Sequence, residues 1–260
     1  MATYSQKAKE ARLKVLDMVF KAQSSHIGSN FSIIDVLTVL FDKADLSKDK
    51  IILSAGWKAA SFYYFLAEKG FISKEELDTY NQDGSRLIGL TEPGVPGVYF
   101  AGGSMQMGLP ASVGFALSKK MKGEVGTIYC IISDGELAGG MIYESLLIAK
   151  HHKLDNLVVI VDNNNFQAMG KTEEIIDVSS EMFYGMGLSV ITGIDGHNHT
   201  SIEKHTVFYP SRSKGGRPFL CFCNTTKGRG WKRAENNNLY HYKNLSSEEY
   251  EEAKKEINDR

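Results

Sequence analysis

Asp134-Gly135-Glu136 ends one apolar run, and Asn163-Asn164-Asn165 ends a second, with Asp134 and Asn164 thirty residues apart. A carboxylate and an amide oxygen suit a hard cation such as Mg2+, which takes oxygen ligands and usually keeps phosphate oxygens as well. Gly135 lets the backbone approach an anion closely, and the helix that follows begins with unpaired amides. If Asp134 and Asn164 are neighbours in space, the pair implies a metal-bound diphosphate.

The elements around them make them neighbours. Thr127 to Ser133 is rich in β-branched and aromatic residues and predicts a buried strand. Met141 to His152 carries Ile142, Leu146 and Ala149 at helical spacing, with Leu147 and Ile148 widening the stripe, and Leu157 to Val161 predicts the next strand. This is a βαβ unit, whose right-handed crossover puts both strand ends on one edge of a parallel sheet, where open α/β folds bind ligands. The expected fold is therefore α/β, a mostly parallel central sheet with helices on both faces.

The chain before this unit begins with an amphipathic helix, Lys7 to Gln23, with Ala11, Val15, Met18 and Val19 on one face. A turn-rich stretch, Ser24 to Ser29, contains His26-Ile27-Gly28, and a second helix is expected from near Ser32. Asp49 to Ser54 predicts a strand running into a tight turn at Ala55-Gly56, then a helix from Lys58 to Lys69. Asp83 to Gly103 is rich in Gly and Pro and predicts a long functional loop. Gly102-Gly103-Ser104-Met105-Gln106-Met107-Gly108 then leads into a helix, Leu109 to Met121.

After the unit come a short helix near Glu181 to Met186 and a strand, Leu188 to Ile194. Asp195-Gly196-His197-Asn198-His199 is expected to act as a turn and helix cap rather than a metal motif. The last strand, Phe219 to Thr225, precedes Thr226-Lys227-Gly228-Arg229-Gly230. Ser246 to Ile257 is a charged helix with a capping box, Ser246 and Glu249.

With 260 residues and a formal charge of −1, the chain can bury a sizeable core and offers no field that favours nucleic acid or a membrane surface. The N-terminal stretch lacks a signal-peptide core, and no segment is long enough to span a bilayer, which points to a cytoplasmic protein. Cys130, Cys221 and Cys223 are too few for a disulfide framework, and burial is their expected fate.

An Asp-Gly followed by Asn-Asn at the end of an apolar strand resembles the signature of thiamine diphosphate enzymes. The stretch from Gly135 to Asn164, GELAGGMIYESLLIAKHHKLDNLVVIVDNN, is similar almost residue by residue to the transketolase family. His26 and Gly28 match the family's His-x-Gly, with Ile27 in place of proline. Gly102 to Gly108 resembles its Thr-Gly-Ser-Leu-Gly-Gln-Gly loop beside the thiamine ring. The Thr226 to Gly230 loop and the Asn-rich segment ending in His241 match its later cofactor-proximal elements. The similarity covers residues 5 to 255, as one diphosphate-binding domain over 1–260.

The resemblance implies thiamine diphosphate with Mg2+, or Ca2+ or Mn2+ in its place. The metal ligands would be Asp134, Asn164 and the carbonyl of Phe166. Gly103, Ser104, Met105, Asp134, Gly135, Glu136, Asn164, Phe166, His26 and His241 would lie against the cofactor, with His26 and His241 as proton-moving groups. Transketolases continue into a pyrimidine-binding domain, which supplies the glutamate that activates the cofactor, and a C-terminal domain. The chain thus resembles the N-terminal subunit of a split transketolase, active only with a second chain in an α2β2 assembly, acting on a small sugar phosphate or keto substrate.

Departures from the family pattern are informative. Trp57 and Leu90 stand where the family has histidines that meet the hydroxyl of the transferred glycolaldehyde unit. Ser133 replaces a glycine, and Ala138-Gly139 replaces a Gln-Glu whose glutamate belongs to the subunit interface. A site without those histidines neither requires nor firmly excludes a hydroxyl. The expectation is two-carbon transfer from a ketose-type donor to an aldehyde or ketone acceptor. The alternatives are acetyl-type transfer from an α-keto acid or deoxy-ketose, or a degenerate cofactor-binding scaffold.

Overall fold

The computed structural model describes residues 2–208 and 215–260. Five parallel strands form its sheet: β1 (Lys50–Leu53), β2 (Ile128–Ser133), β3 (Leu157–Asn163), β4 (Ser189–Asp195) and β5 (Phe219–Asn224), in the order β1-β2-β3-β5-β4. A parallel sheet must be covered on both faces, so its central strands are apolar throughout rather than alternating. In β2 all six residues are buried, and in β3 all but the last.

The alternation appears instead in which core each side chain joins. Tyr129, Ile131, Val158, Ile160, Cys221 and Cys223 face one core, closed by α1 (Tyr4–Lys21), α2 (Ile27–Lys43) and α3 (Ala59–Glu68). Ile128, Cys130, Ile132, Val159, Val161 and Leu220 face the other, closed by α4 (Gly108–Lys122) and α5 (Gly140–His151). Cys221 and Cys223 share a face and are buried, as their spacing predicts.

Most elements fall within a few residues of their expected places. The clear exception is α2, which begins at Ile27 rather than near Ser32. Ser24 to Ser29 has turn composition, but only His26 takes the left-handed backbone (φ 70°), and Gly28 and Ser29 already lie inside the helix. The Gly/Pro-rich stretch carries no helix or strand between Tyr80 and Met107. Asp195-Gly196-His197-Asn198-His199 is the expected turn and cap: Asp195 accepts from the His197 amide, and Asn198 caps the short helix His199–Ile202 by accepting from Ser201 N. His197 and His199 both meet the buried Asp35 carboxylate, which Arg12 also clamps. The closing helix, Ser247–Asp259, carries the predicted capping box.

The chain leaves β1, β2, β3 and β5 at the same sheet edge. Strand order reverses beyond β3, where β5 returns to sit between β3 and β4, and such a switch point opens a crevice above the strand ends.

Candidate functional site

Asp134 follows the last residue of β2 and Asn164 the last residue of β3. A short helical turn, Asp134–Ala138, is capped by Ser133, whose hydroxyl accepts from Glu136 N. Asp134 Oδ1 accepts from Gly135 N (2.8 Å), and Oδ2 accepts from Asn165 N across the crevice (2.5 Å). Asn164 Oδ1 accepts from Phe166 N (3.1 Å), while its Nδ2 donates to Asp162 Oδ2 (3.3 Å). The β2 and β3 ends are thus joined, as the βαβ geometry requires.

Burial and the Asp162 carboxylate push the Asp134 carboxyl up to about 7, against the pull of Lys58 and the two amides. An ionised carboxylate there wants a cation. The donor types around it fit Mg2+: one carboxylate and one amide oxygen. No group of three or more His, Cys, Asp or Glu side chains that could hold a metal ion occurs among the described residues, so a metal here would need outside oxygens such as those of a diphosphate. A Cβ on Gly135 would lie 3.2 Å from Gln167 Cγ, so the backbone there stays bare.

Two cavities meet at Asn164 and Phe166. One, of about 790 Å3, is open and polar and includes Asp134, Lys171 and Asn224 in its wall. The other, of about 220 Å3, is lined by His26, Trp57, Lys58, Met105, Gly135, Asn164, Phe166 and His241, among others. His26 and His241 are 4.8 Å apart between ring centroids, and the His26 amide donates to the His241 carbonyl (2.9 Å). The left-handed His26 and the short helical turn Asn238–His241 therefore hold each other in place.

Burial, then the charges of Lys227 and Lys58, lower His26 to about 4; burial, Lys227, His26 and Lys58 lower His241 to about 3. Both rings are neutral at ordinary pH. Trp57 lines the same cavity, so an apolar ring stands in its wall.

Not every expected residue reaches this cavity. Gly103 and Ser104 lie on an exposed loop, and Leu90 packs near Gly103, its carbonyl accepting from Tyr63 Oη (3.1 Å). Glu136 departs most from expectation. Its side chain is fully buried and accepts from Ser54 Oγ (2.6 Å), Gln106 N (2.7 Å) and Ser133 N (2.8 Å). It ties β1, the 103–107 loop and the Asp-Gly turn together as a strut, rather than lining the cavity.

Nothing in the sequence pattern marks Asp162 and Lys58 as site residues, and Lys227 is marked only as part of the Thr226 to Gly230 loop that resembles a cofactor-proximal element of the family. Lys58 pairs with Asp162 at 2.5 Å, with 1% and 0% of their side chains exposed. Ser32 and Thr225 hydroxyls complete the Asp162 shell. Lys227 is equally buried, and burial followed by Lys58 lowers it to about 8, against the pull of Asp134 and Asp162. Lysines read as surface residues by default, and only the apolar strands beside them could have hinted otherwise.

The family model described as the thiamine diphosphate binding domain of transketolases matches residues 3–258. The chain belongs to the transketolase family. It is 32% identical to an apulose-4-phosphate transketolase subunit of Phocaeicola vulgatus, over 99% of this chain and 95% of that one. It is 31% identical to the 6-deoxy-6-sulfo-D-fructose transketolase subunit SqwG of a Clostridium species, over 95% and 93%. The transketolase of Campylobacter jejuni superposes with a TM-score of 0.92 at 30% identity, covering 99% of this chain but 43% of its own. This family member is a transketolase-like transferase subunit with the thiamine diphosphate-binding fold. No helix among its described residues is long and apolar enough to cross a membrane.

Proposed function

We propose that this subunit transfers a two-carbon unit from a ketose-type donor to an aldehyde or ketone acceptor, using thiamine diphosphate and Mg2+. The observation that carries this is that Asn164 and Phe166 are shared by two adjoining cavities, one walled by Asp134 and the other by His26 and His241. Asp134, the Asn164 amide oxygen and the Phe166 carbonyl would hold the metal. Gly135 and Met105 would lie along the cofactor, with Gly103 and Ser104 brought to it by their loop. Once bound there, thiamine diphosphate would supply the chemistry that carries a two-carbon group.

The chain's own residues do the rest. His26 and His241, neutral and held edge to face, meet the substrate hydroxyls. Lys58 and Lys227 keep the cleft positive beneath an anionic ligand, and the Trp57 ring adds an apolar wall. The whole chain forms one diphosphate-binding domain. Relatives of nearly the same length that are themselves named as transketolase subunits support a partner chain, which would supply the activating glutamate in an α2β2 complex.

Trp57 favours a particular donor class. An indole in place of an imidazole keeps an N–H donor but removes the acceptor and proton-carrying nitrogen and puts a large apolar ring in the wall, so a deoxy or otherwise modified ketose, or an α-keto acid, fits at least as well as an ordinary ketose phosphate. Relatives named for apulose 4-phosphate and 6-deoxy-6-sulfo-D-fructose support divergence in substrate.

The test is to isolate the chain with its native partner and measure thiamine diphosphate binding with and without EDTA, then screen donors. Cation-dependent binding and turnover are expected, and failure to bind under any condition would leave only a scaffold role. Preference for xylulose 5-phosphate far above every methyl-ketone or keto-acid donor would defeat the donor assignment.

A further inference from the structure

Lys227 sits fully buried under the two histidines, and its ammonium nitrogen has three partners: the Gln167 carbonyl (3.4 Å), Asn238 Oδ1 (2.8 Å) and His241 Nδ1 (2.9 Å). An ammonium has three N–H donors and no acceptor. The Asn238 amide is oriented independently, because its Nδ2 donates to the Ala168 carbonyl (3.0 Å), leaving Oδ1 to face the lysine. Two of the three partners can only accept, and the donor cannot accept. His241 Nδ1 therefore carries its lone pair toward Lys227, and a neutral ring in that state bears its proton on Nε2.

The other groups facing His241 do not reverse this. His26 and Tyr242 present rings edge-on at 4.8 and 4.6 Å, and Lys58 adds a second positive charge. His26 is held differently. Its Nδ1 meets the Ser25 hydroxyl at 2.7 Å, and a hydroxyl can donate or accept, so both tautomers stay open.

We propose that Lys227 is a positioning residue that fixes His241 as an Nε2–H donor, so that His241 polarises a substrate oxygen while the proton of the reacting hydroxyl passes to His26. His241 keeps its own proton throughout, and no charge is built on the ring beside Lys227. The division of labour between two similar histidines is set by one buried side chain, fourteen residues before His241 and on the loop after β5. The catalytic part of this proposal rests on the two-carbon transfer proposed above; the tautomer does not.

The first measurement is a long-range proton–nitrogen correlation spectrum of the full chain labelled with 15N-histidine, with His241 assigned from the His241→Gln variant. The expected spectrum has His241 in one form, lone pair on Nδ1 and proton on Nε2, unchanged between about pH 6.5 and pH 5, where Lys227 is an ammonium. In Lys227→Met the ring should show mixed tautomers and take up a proton at a higher pH than in the unmodified chain, with burial still holding it below the ordinary range. A proton on Nδ1, or an imidazolium at about pH 6, in the unmodified chain would overturn the proposal even if Lys227→Met does not fold.

The second measurement uses the assembled complex with thiamine diphosphate and Mg2+. His241→Gln keeps an N–H near the Nε2 position, so it should recover part of the kcat lost in His241→Leu. Equal losses of about 100-fold or more in both would mark His241 as a base and overturn the assignment of roles. A complex that does not turn over at all would count against the proposed function, and the tautomer measurement would stand apart from it.

Discussion

Two buried carboxylates end neighbouring strands, and they have been given opposite environments. Asp162, within β3, is fully buried, yet its carboxyl is held below the ordinary range: burial would raise it, and the Lys58 ammonium with the Ser32 and Thr225 hydroxyls outweighs that. Asp134, just past β2, is met by backbone amides only, and burial with the Asp162 charge pushes it up to about 7. One charge is balanced within the fold. The other is left for something the chain does not contain. A buried carboxylate without a counter-ion is costly to the fold, and such perturbed groups collect where ligands bind.

The largest expected effect comes from unbalancing the balanced site. Removing one partner of a buried ion pair leaves an uncompensated charge, so Lys58→Met should cost about 3–5 kcal/mol of stability, seen as a fall in urea midpoint and Tm. The double variant Lys58→Met, Asp162→Leu should recover much of that loss. If Lys58→Met were nearly neutral, Asp162 would not be a structural hub.

Asp134→Asn should do the reverse. Without ligand the variant should be no less stable than the parent, because it removes a buried charge that lacks a partner. With Mg2+ and thiamine diphosphate at about 100 times Kd, the parent should gain about 2.7 kcal/mol and the variant nothing. Thermal melts of both chains in the native complex, with and without EDTA, measure the contrast.

The histidines above these carboxylates give the comparison a pH dependence. His26 and His241 have folded-state values near 4 and 3, below the ordinary histidine range. A histidine depressed in the fold takes up its proton more readily when unfolded. Their contribution is therefore complete above about pH 6.5 and is lost as pH falls from there toward 4. Allowing for their partial exposure, about 1–2 kcal/mol should disappear over that window. His26→Asn combined with His241→Asn should flatten the curve, and an unchanged slope would place the acid sensitivity elsewhere.

How far this region could be read from the sequence depended on residue type. Asp134, Asn164 and the strands that carry them were legible, because β-branched runs ending in Asp-Gly and Asn-Asn state both the element and its edge. The start of α2 was not, since Ser24 to Ser29 has the composition of a turn and the backbone reverses at His26 alone. Lys58 was invisible as a site residue, and Lys227 was legible by its loop but not by its burial, because nothing local distinguishes a buried lysine from a solvated one. Glu136 was legible as important but not in its role: a carboxylate beside an Asp-Gly turn reads as a ligand contact, whereas burial and three donors make it a strut.

Trp57 and Lys58 are adjacent in sequence and divide between the two regions, the lysine reaching Asp162 and the indole lining the cavity. Trp57→His should leave the Asp162 hub intact while supplying a donor to a substrate hydroxyl. The ratio of kcat/KM for a hydroxylated ketose over its 1-deoxy analogue should rise by about tenfold or more, with little change in Tm. An unchanged ratio would mean that the indole does not contact the transferred unit.

The smallest effect is expected where two departures from the family pattern meet. Gln106 takes a position where the resembling loop has glycine, with φ 72°, and Gly139 takes one where the family has glutamate. A Cβ on Gly139 would fall 1.6 Å from Gln106 Nε2, so the amide fills the space the missing side chain vacates. A non-glycine residue in the left-handed region costs on the order of 1 kcal/mol. Gln106→Gly would relieve that but loosen the unfolded chain by a similar amount, so its stability should change by about 0.5 kcal/mol or less. Gly139→Ala alone should cost only what moving the flexible Gln106 amide costs, and adding Gln106→Gly should remove that cost. If the two changes were merely additive, the exchange would be coincidence and the loop would be set by Glu136 alone, through its bond to the Gln106 amide.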